Sequence, residues 1–159
     1  RGPGTHRPKQ VLQERNHDPY KSERQPEGHA ACPECKAVFA KGRWQWGARD
    51  ASAKDELCPA CRRIRDHMPA GFVRIDGPFF DEHRDEMLAL VRNHALQVKS
   101  EHALERIMAI EEHPGHTMVT TTDIHLARGI GEALHHAYQG SLDFDYLEAE
   151  PLLRVHWTR

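Results

Sequence analysis

Two short stretches decide how the first part of this chain folds: CPEC at residues 32–35 and CPAC at residues 58–61. In each stretch two residues separate the cysteines, so both sulfurs of one tight turn can face the same metal ion. Two such pairs complete a tetrahedral site, and four thiolates are the ligand set of a structural Zn²⁺ ion. The sequence therefore predicts one zinc ion held by Cys32, Cys35, Cys58 and Cys61.

Two disulfides, or four unrelated free thiols, would also account for these cysteines. The spacing favours the metal site, because paired C-x2-C stretches are typical of zinc modules. The chain has no other cysteine, and a closed four-thiolate site leaves no open position for a substrate or a water molecule. We therefore expect the zinc to hold the fold rather than to do chemistry, and we expect this segment to unfold without it.

The segment between the two cysteine pairs predicts a β-hairpin that turns at Gly42. Trp44 and Trp46 would share one face of a strand, because side chains alternate along a strand. Basic residues surround these rings, and single-stranded nucleic acid binds to aromatic rings set among cations. The alternative is that one tryptophan packs over the zinc site as a small core. The expected RNA contacts in this module are Lys41, Arg43, Trp44, Trp46, Arg62, Arg63 and Arg65.

Residues 1–29 are predicted to form a basic flexible tail. Proline and glycine are frequent there, six residues are basic and few are apolar. Such a segment cannot bury enough surface to offset the entropy lost on ordering. The HDPYK stretch at residues 17–21 is either a docking peptide or an inert linker. The tail residues expected to contact RNA are Arg7, Lys9, Arg15, Tyr20 and Lys21.

Charge divides the chain into a basic and an acidic part. Residues 1–70 contain 14 Lys and Arg against 9 Asp and Glu, whereas residues 71–159 contain 8 against 15. A basic first part favours a polyanionic partner, and the acidic second part favours solvent or a protein partner. No apolar run approaches the roughly 20 residues of a membrane span. With no apolar leader and a zinc-type cysteine pattern, the sequence predicts a cytoplasmic protein.

The apolar pattern predicts an α+β fold, in which a zinc ribbon at residues 30–68 precedes a two-layer domain at residues 69–159. Strands are expected at 72–75, 118–122, 142–146 and 153–157. Helices are expected at 81–98, from Ser100 to His113, and from Asp123 to Gly140. The order β-αα-β-α-β-β would place the helices on one face of a mixed four-stranded sheet. Gly131 would allow the last helix to approach that sheet closely.

No catalytic motif is recognisable, so the sequence does not predict an enzyme. The chain has no P-loop, no dinucleotide-binding glycine pattern and no G-x-S-x-G or H-E-x-x-H motif. Asp123 and His125 follow a predicted strand, and with His113 and His116 they could form a metal-dependent hydrolase site. The alternative is that Asp123 caps a helix and the three histidines are surface residues.

The chain resembles an uncharacterised family of small bacterial zinc-ribbon proteins, nearly from end to end. The motifs that carry the resemblance are HDPY at 17–20, the two cysteine pairs, KGRWQW at 41–46, CPACRRI at 58–64, PAG at 69–71 and TTTDIHLAR at 120–128. Members are sometimes labelled ATPases, although this chain has no P-loop to support that. The resemblance implies no catalytic residues.

The layout also resembles, more weakly, the archaeal and eukaryotic adaptor for export of the large ribosomal subunit. That family has a pair of C-x2-C knuckles followed by an α/β region and binds the large subunit. The resemblance implies association with a ribosome or with structured RNA. We therefore expect a protein that binds the ribosome or ribosomal RNA, in translation, stress or hibernation, or assembly. A protein–protein adaptor that docks through the tail or the acidic domain is the alternative, and a metal-dependent hydrolase is a third.

Overall fold

The computed structural model describes Tyr20 and residues 25–159. Within that range the chain forms two sheets, each with its own buried cluster. We call the first part, from β1 to α1, the four-cysteine module, and the remainder the sheet domain. Four of the expected RNA contacts, Arg7, Lys9, Arg15 and Lys21, lie outside the described residues.

The four-cysteine module has four short strands and one helix. The strands are β1 (Ala30–Ala31), β2 (Val38–Ala40), β3 (Arg43–Gln45) and β4 (Lys54–Asp55), and the helix is α1 (Pro59–Asp66). The strand order is β3-β2-β1-β4, with β4 parallel to β1. The predicted hairpin is confirmed: β2 and β3 pair through a turn in which Lys41 and Gly42 both have positive φ, as a type I′ hairpin turn requires.

The sheet domain has five strands and two helices. Its elements are β5 (Gly71–Asp76), α2 (Pro78–Glu101), β6 (Ile107–His113), β7 (His116–Thr121), α3 (Ile124–Tyr138), β8 (Ser141–Leu147) and β9 (Leu152–Thr158). The order is β6-β7-β5-β9-β8, and the β5–β9 pair is parallel while the other pairs are antiparallel. The predicted α+β class is confirmed.

The helices of the sheet domain cover one face of the sheet. Val73 on the central strand lies opposite Val119 and Val155, and all three are buried against residues of both helices. The intervening positions, such as Phe72 and Arg74, are half-buried or exposed. This alternation is that of a sheet with one covered face. Gly131 of α3 allows the close approach, because a Cβ there would lie 2.6 Å from Val155 Cγ1.

The predicted helix from Ser100 to His113 is wrong. Helix α2 continues to Glu101, and the chain then turns into strand β6, which pairs with β7. Leu104 and Ile107 have helical spacing, yet they serve different clusters: Leu104 packs on the cysteines and Ile107 on the main core. The proline and glycine after His113 form the hairpin turn between β6 and β7 rather than a helix stop. The order is therefore β-α-β-β-α-β-β, with five strands instead of four.

Candidate metal centre and adjoining cleft

The four cysteine sulfurs converge on one point. One Sγ atom from each of Cys32, Cys35, Cys58 and Cys61 lies within 4.8 Å of the others. All four thiols are free, and the Sγ atoms of Cys35 and Cys58 are 3.6 Å apart, well beyond a disulfide bond. Three of the four residues are buried. Converging sulfurs without bonds between them fit a metal ion and disfavour the disulfide alternative.

Local backbone geometry places each cysteine pair. In the first pair, Cys32 N–H donates to Ala37 O and Lys36 N–H donates to Cys32 O, which closes a tight turn with Lys36 in the left-handed region. In the second pair, Cys58 is the N-cap of α1, and its Sγ accepts a hydrogen bond from Cys61 N–H at 3.4 Å. Pro59 occupies the first helical turn, where its missing N–H costs nothing.

The thiol pKa values are split by the crowding of the sulfurs. Hydrogen bonds from Cys58 and Cys61 lower the pKa of Cys35 far below the ordinary range of a thiol. The bond to Cys35 raises the pKa of Cys58, and it raises that of Cys61 to about 11. Hydrogen bonding among the sulfurs therefore favours the thiolate of Cys35 and opposes ionisation of Cys58 and Cys61. A bound cation removes this conflict, because metal ligation deprotonates all the thiols it engages.

Arg106, from the sheet domain, reaches into the cysteine cluster. Its Nη1 donates to Cys61 Sγ at 3.3 Å, and its Nη2 donates to Cys35 Sγ at 3.3 Å and Cys58 Sγ at 3.1 Å. The residue is only 9% exposed. One guanidinium thus places its positive charge beside three of the four sulfurs. No motif in the sequence predicted this contact.

Arg106 is held in place by its own domain. Its backbone N–H donates to Thr122 Oγ1 at 2.9 Å, its carbonyl accepts from Thr122 N–H, and its Nε donates to Ala103 O at 3.0 Å. Burial opposes its charge, but hydrogen bonding to Cys61 and the attraction of Cys58 and Cys35 outweigh burial and raise the pKa of Arg106. The guanidinium is therefore a fixed, permanent cation beside the sulfurs.

The two tryptophans of the β3 region pack in different places. Trp44 meets Phe39 edge-on, with ring centroids 5.6 Å apart, and packs against the cysteine cluster. This contact confirms the expectation that one tryptophan forms part of a small core over the site. The indole N–H of Trp46 donates to the carbonyl of Lys99 at the end of α2, at 2.5 Å.

A cleft of about 360 Å³ separates the β3 hairpin from the sheet domain. One wall is formed by residues 43–46 and the other by residues 100–105, with Asp123 and His125 at one side. Asp123 caps α3, because its Oδ1 accepts from His125 N–H at 2.7 Å. Arg43, Trp44 and Trp46 therefore line the cleft on the side of the four-cysteine module, and the acidic residues Glu101, Glu105 and Asp123 line its other sides.

The predicted RNA-contacting cations of the four-cysteine module differ in exposure and in pairing. Lys41 and Arg43 are exposed at the tip of the β2–β3 hairpin and make no ion pair with a described residue. Arg65 is exposed on α1 and pairs with its neighbour Asp66, and Arg62 is half-buried beside Glu56. Arg63 is only 4% exposed and donates to Met68 O. Burial removes Arg63 from any phosphate-binding surface.

Tyr20 contacts the four-cysteine module. Its ring lies 4.3 Å from the guanidinium carbon of Arg63, and its hydroxyl donates to Asp66 Oδ2 at 3.2 Å. These contacts engage the ring and the hydroxyl that were expected to face RNA. Tyr20 thus lies against α1 of the same chain, and the other residues of the 17–21 stretch lie outside the described residues.

The four residues of the hydrolase alternative do not meet. His113 and His116 stack at the β6–β7 turn, with ring centroids 4.9 Å apart. Asp123 and His125 follow the other end of β7, roughly 17 Å away at about 3.3 Å per strand residue. Among the described residues, the cysteines form the one group of three or more potential metal ligands. The four side chains thus do not form a joint metal site.

No protein-family model, no curated protein and no solved structure matches this chain. Among the helices of the described range, none has both the length and the apolar character needed to cross a bilayer.

Proposed function

We propose that this chain is a zinc-dependent RNA-binding protein that acts on the ribosome or on ribosomal RNA. The observation that carries the proposal is the cleft, where Arg43, Trp44 and Trp46 line one wall and Lys41 stands exposed on the same hairpin. Aromatic rings offer stacking surfaces to bases of any sequence, and adjacent cations bind phosphates. Zn²⁺ in the cysteine cluster keeps this hairpin rigid.

The metal in this proposal is Zn²⁺ because the ligand set is four cysteine sulfurs with no oxygen or imidazole donor. Soft thiolates in a closed tetrahedral arrangement favour zinc over harder cations. All four ligand positions belong to the protein, so the zinc has a structural role. The described part of the chain offers no second cluster of metal ligands.

The proposal predicts salt-sensitive binding to ribosomes. Zinc-loaded protein should co-sediment with a ribosomal subunit or the whole ribosome at low salt and leave it at high salt, because each phosphate contact releases counterions. Protein that stays at the top of the gradient at low salt would overturn the ribosomal part. Anisotropy with a fluorescent single-stranded RNA then tests RNA binding itself.

Charge-removing variants locate the surface. Neutralising two phosphate contacts with Lys41→Gln and Arg43→Gln should reduce the slope of log affinity against log salt by about 1.4 for single-stranded RNA. Arg92→Gln is the matched control, since Arg92 is exposed on α2 in the sheet domain. Equal slopes in the double variant and the wild type would reject the hairpin as the binding surface. Arg63 is unsuitable for this test because its substitution would disturb buried packing.

A protein-adaptor function has one specific observation in its favour. Strand β8 is an edge strand of the sheet, and it exposes Asp143, Phe144 and Asp145. An edge strand can pair with a strand of another protein, and this one would favour a basic partner. Affinity capture from lysate treated with nuclease separates the two functions, because a protein partner survives the loss of RNA.

A further inference from the structure

The far wall of the cleft is a short segment tied to the four-cysteine module at both of its ends. The wall consists of residues 100–105. On one side of it, Lys99 accepts the hydrogen bond from Trp46. On the other side, Arg106 donates to three cysteine sulfurs. Between these ties, Leu104 packs against the cysteine cluster. The position of the wall thus depends on what holds the sulfurs together.

The acceptor for Arg106 exists only while the sulfurs stay together. Four thiolates with their Sγ atoms within 4.8 Å repel one another unless a cation lies among them. A divalent cation with four thiolates leaves a net negative cluster, which is the acceptor that a buried guanidinium requires. Without that cluster, Arg106 would be a buried cation that has lost three of its acceptors.

We propose that Arg106 is a positioning residue that couples metal binding to the shape of the cleft. With metal in the four-cysteine cluster, the guanidinium holds residues 100–105 against the module and the cleft is closed to its observed width. With the metal lost, this contact is released and the wall moves away. The coupling of metal to wall is independent of what the cleft binds; its consequence for RNA rests on the proposed function.

The coupling between metal binding and the docking of Arg106 must act in both directions. If the metal-loaded cluster stabilises the docked position of Arg106, then docking must strengthen metal binding by the same factor. Groups that hydrogen-bond to metal ligands typically change metal affinity about 10–100-fold. Removing the guanidinium should therefore weaken zinc binding at equilibrium as well as free the wall.

The test compares zinc-loaded full-length wild type with Arg106→Gln, which keeps a polar side chain and removes the charge. Hydrogen–deuterium exchange should rise at the amides of residues 100–106 while β5 and β9 stay protected, and the zinc affinity measured by competition with a chelator should fall about 10–100-fold. Arg92→Gln, an exposed arginine on α2, is the matched control and should leave both quantities unchanged. Unchanged exchange at residues 100–106 in a variant that retains one zinc would overturn the proposal.

Arg106→Lys decides the case in which the glutamine variant fails to fold. Lysine keeps the positive charge but lacks the planar fork that reaches three sulfurs at once. Faster exchange in the wall than in wild type supports the proposal, and equal exchange overturns it. RNA affinity is measured separately: a variant with a freed wall and unchanged RNA binding would reject the cleft as the RNA site while leaving the metal coupling intact.

Discussion

The two parts of this chain are held together by different means. The sheet domain buries 17 residues in one apolar cluster, among them Trp157 and Phe80. The buried cluster of the four-cysteine module consists of Cys32, Cys58, Cys61 and Ala60. Apolar burial of this kind stabilises the first cluster by itself, whereas the second is too small to offset the entropy of folding without a metal. The four-cysteine module also contacts Leu104 and Arg106, which belong to the sheet domain.

Removal of the metal should have the largest effect and should divide the two parts. Cys58→Ser, or chelation of the wild type, should abolish amide protection in strands β1 to β3 because sulfur–metal bonds replace an apolar core there. Protection in β5 and β9 should remain. Hydrogen exchange with mass spectrometry measures both, and Ala51→Ser at an exposed position of the same module is the control. Persistent protection of β2 without metal would show that the module folds on packing alone.

A substitution that overpacks the core of the sheet domain should destabilise that domain and leave the four-cysteine module intact. Gly131→Val places a side chain where a Cβ already lies 2.6 Å from Val155 Cγ1 and 2.9 Å from Leu142 Cδ1. Overpacking of this kind typically costs about 1–3 kcal/mol of unfolding free energy. Denaturant unfolding should show this loss while zinc content stays at one per chain. Ala137→Val on the exposed side of the same helix is the control and should cost less than the glycine variant.

Acid should act on the sheet domain through Asp76. Burial raises the pKa of this carboxyl, but hydrogen bonds from Thr158 and Arg74 outweigh it, so the pKa lies below its ordinary value. The pKa of Asp76 is lower in the folded protein than in the unfolded chain, where it is about 4. The ionised carboxylate therefore stabilises the fold above that pH, and the stabilisation is lost as the pH falls through the pKa of the folded protein. Asp76→Asn should therefore lower stability at neutral pH and flatten its decline in acid. An unchanged acid slope of the sheet-domain transition would contradict this assignment.

The two parts also differ in what the sequence could predict. The cysteine pairs, the turn at Gly42 and the cap at Asp123 were all predicted, because each is encoded within a few neighbouring residues. Strands β5, β7, β8 and β9 were predicted as well, since their alternating apolar residues are local patterns. What these features share is that no distant contact is needed to recognise them.

The errors lie where distant parts meet. The segment after α2 was predicted as a helix because its apolar spacing fits one, but its residues are divided between two clusters. Arg106 could not be found, because its partner Cys35 lies 71 positions away along the chain. The one signal present was a charged residue between Leu104 and Ile107, within the segment that was predicted as a helix. Local patterns therefore predicted each part, and the contact between the parts required the structure.

The smallest expected effect concerns the tail residue that docks on the four-cysteine module. Tyr20 stacks on Arg63 and donates to Asp66. A cation–π contact at a partly exposed site contributes about 0.5–1 kcal/mol, so Tyr20→Ala should lower the stability of the zinc-loaded module by about that amount. Tyr20→Phe keeps the ring, loses only the hydroxyl, and should cost less. Unfolding of the module, followed by hydrogen exchange in α1, distinguishes the two variants. Equal losses would assign the docking to the hydroxyl, and no loss in either would mean that the Tyr20 contact does not stabilise the module.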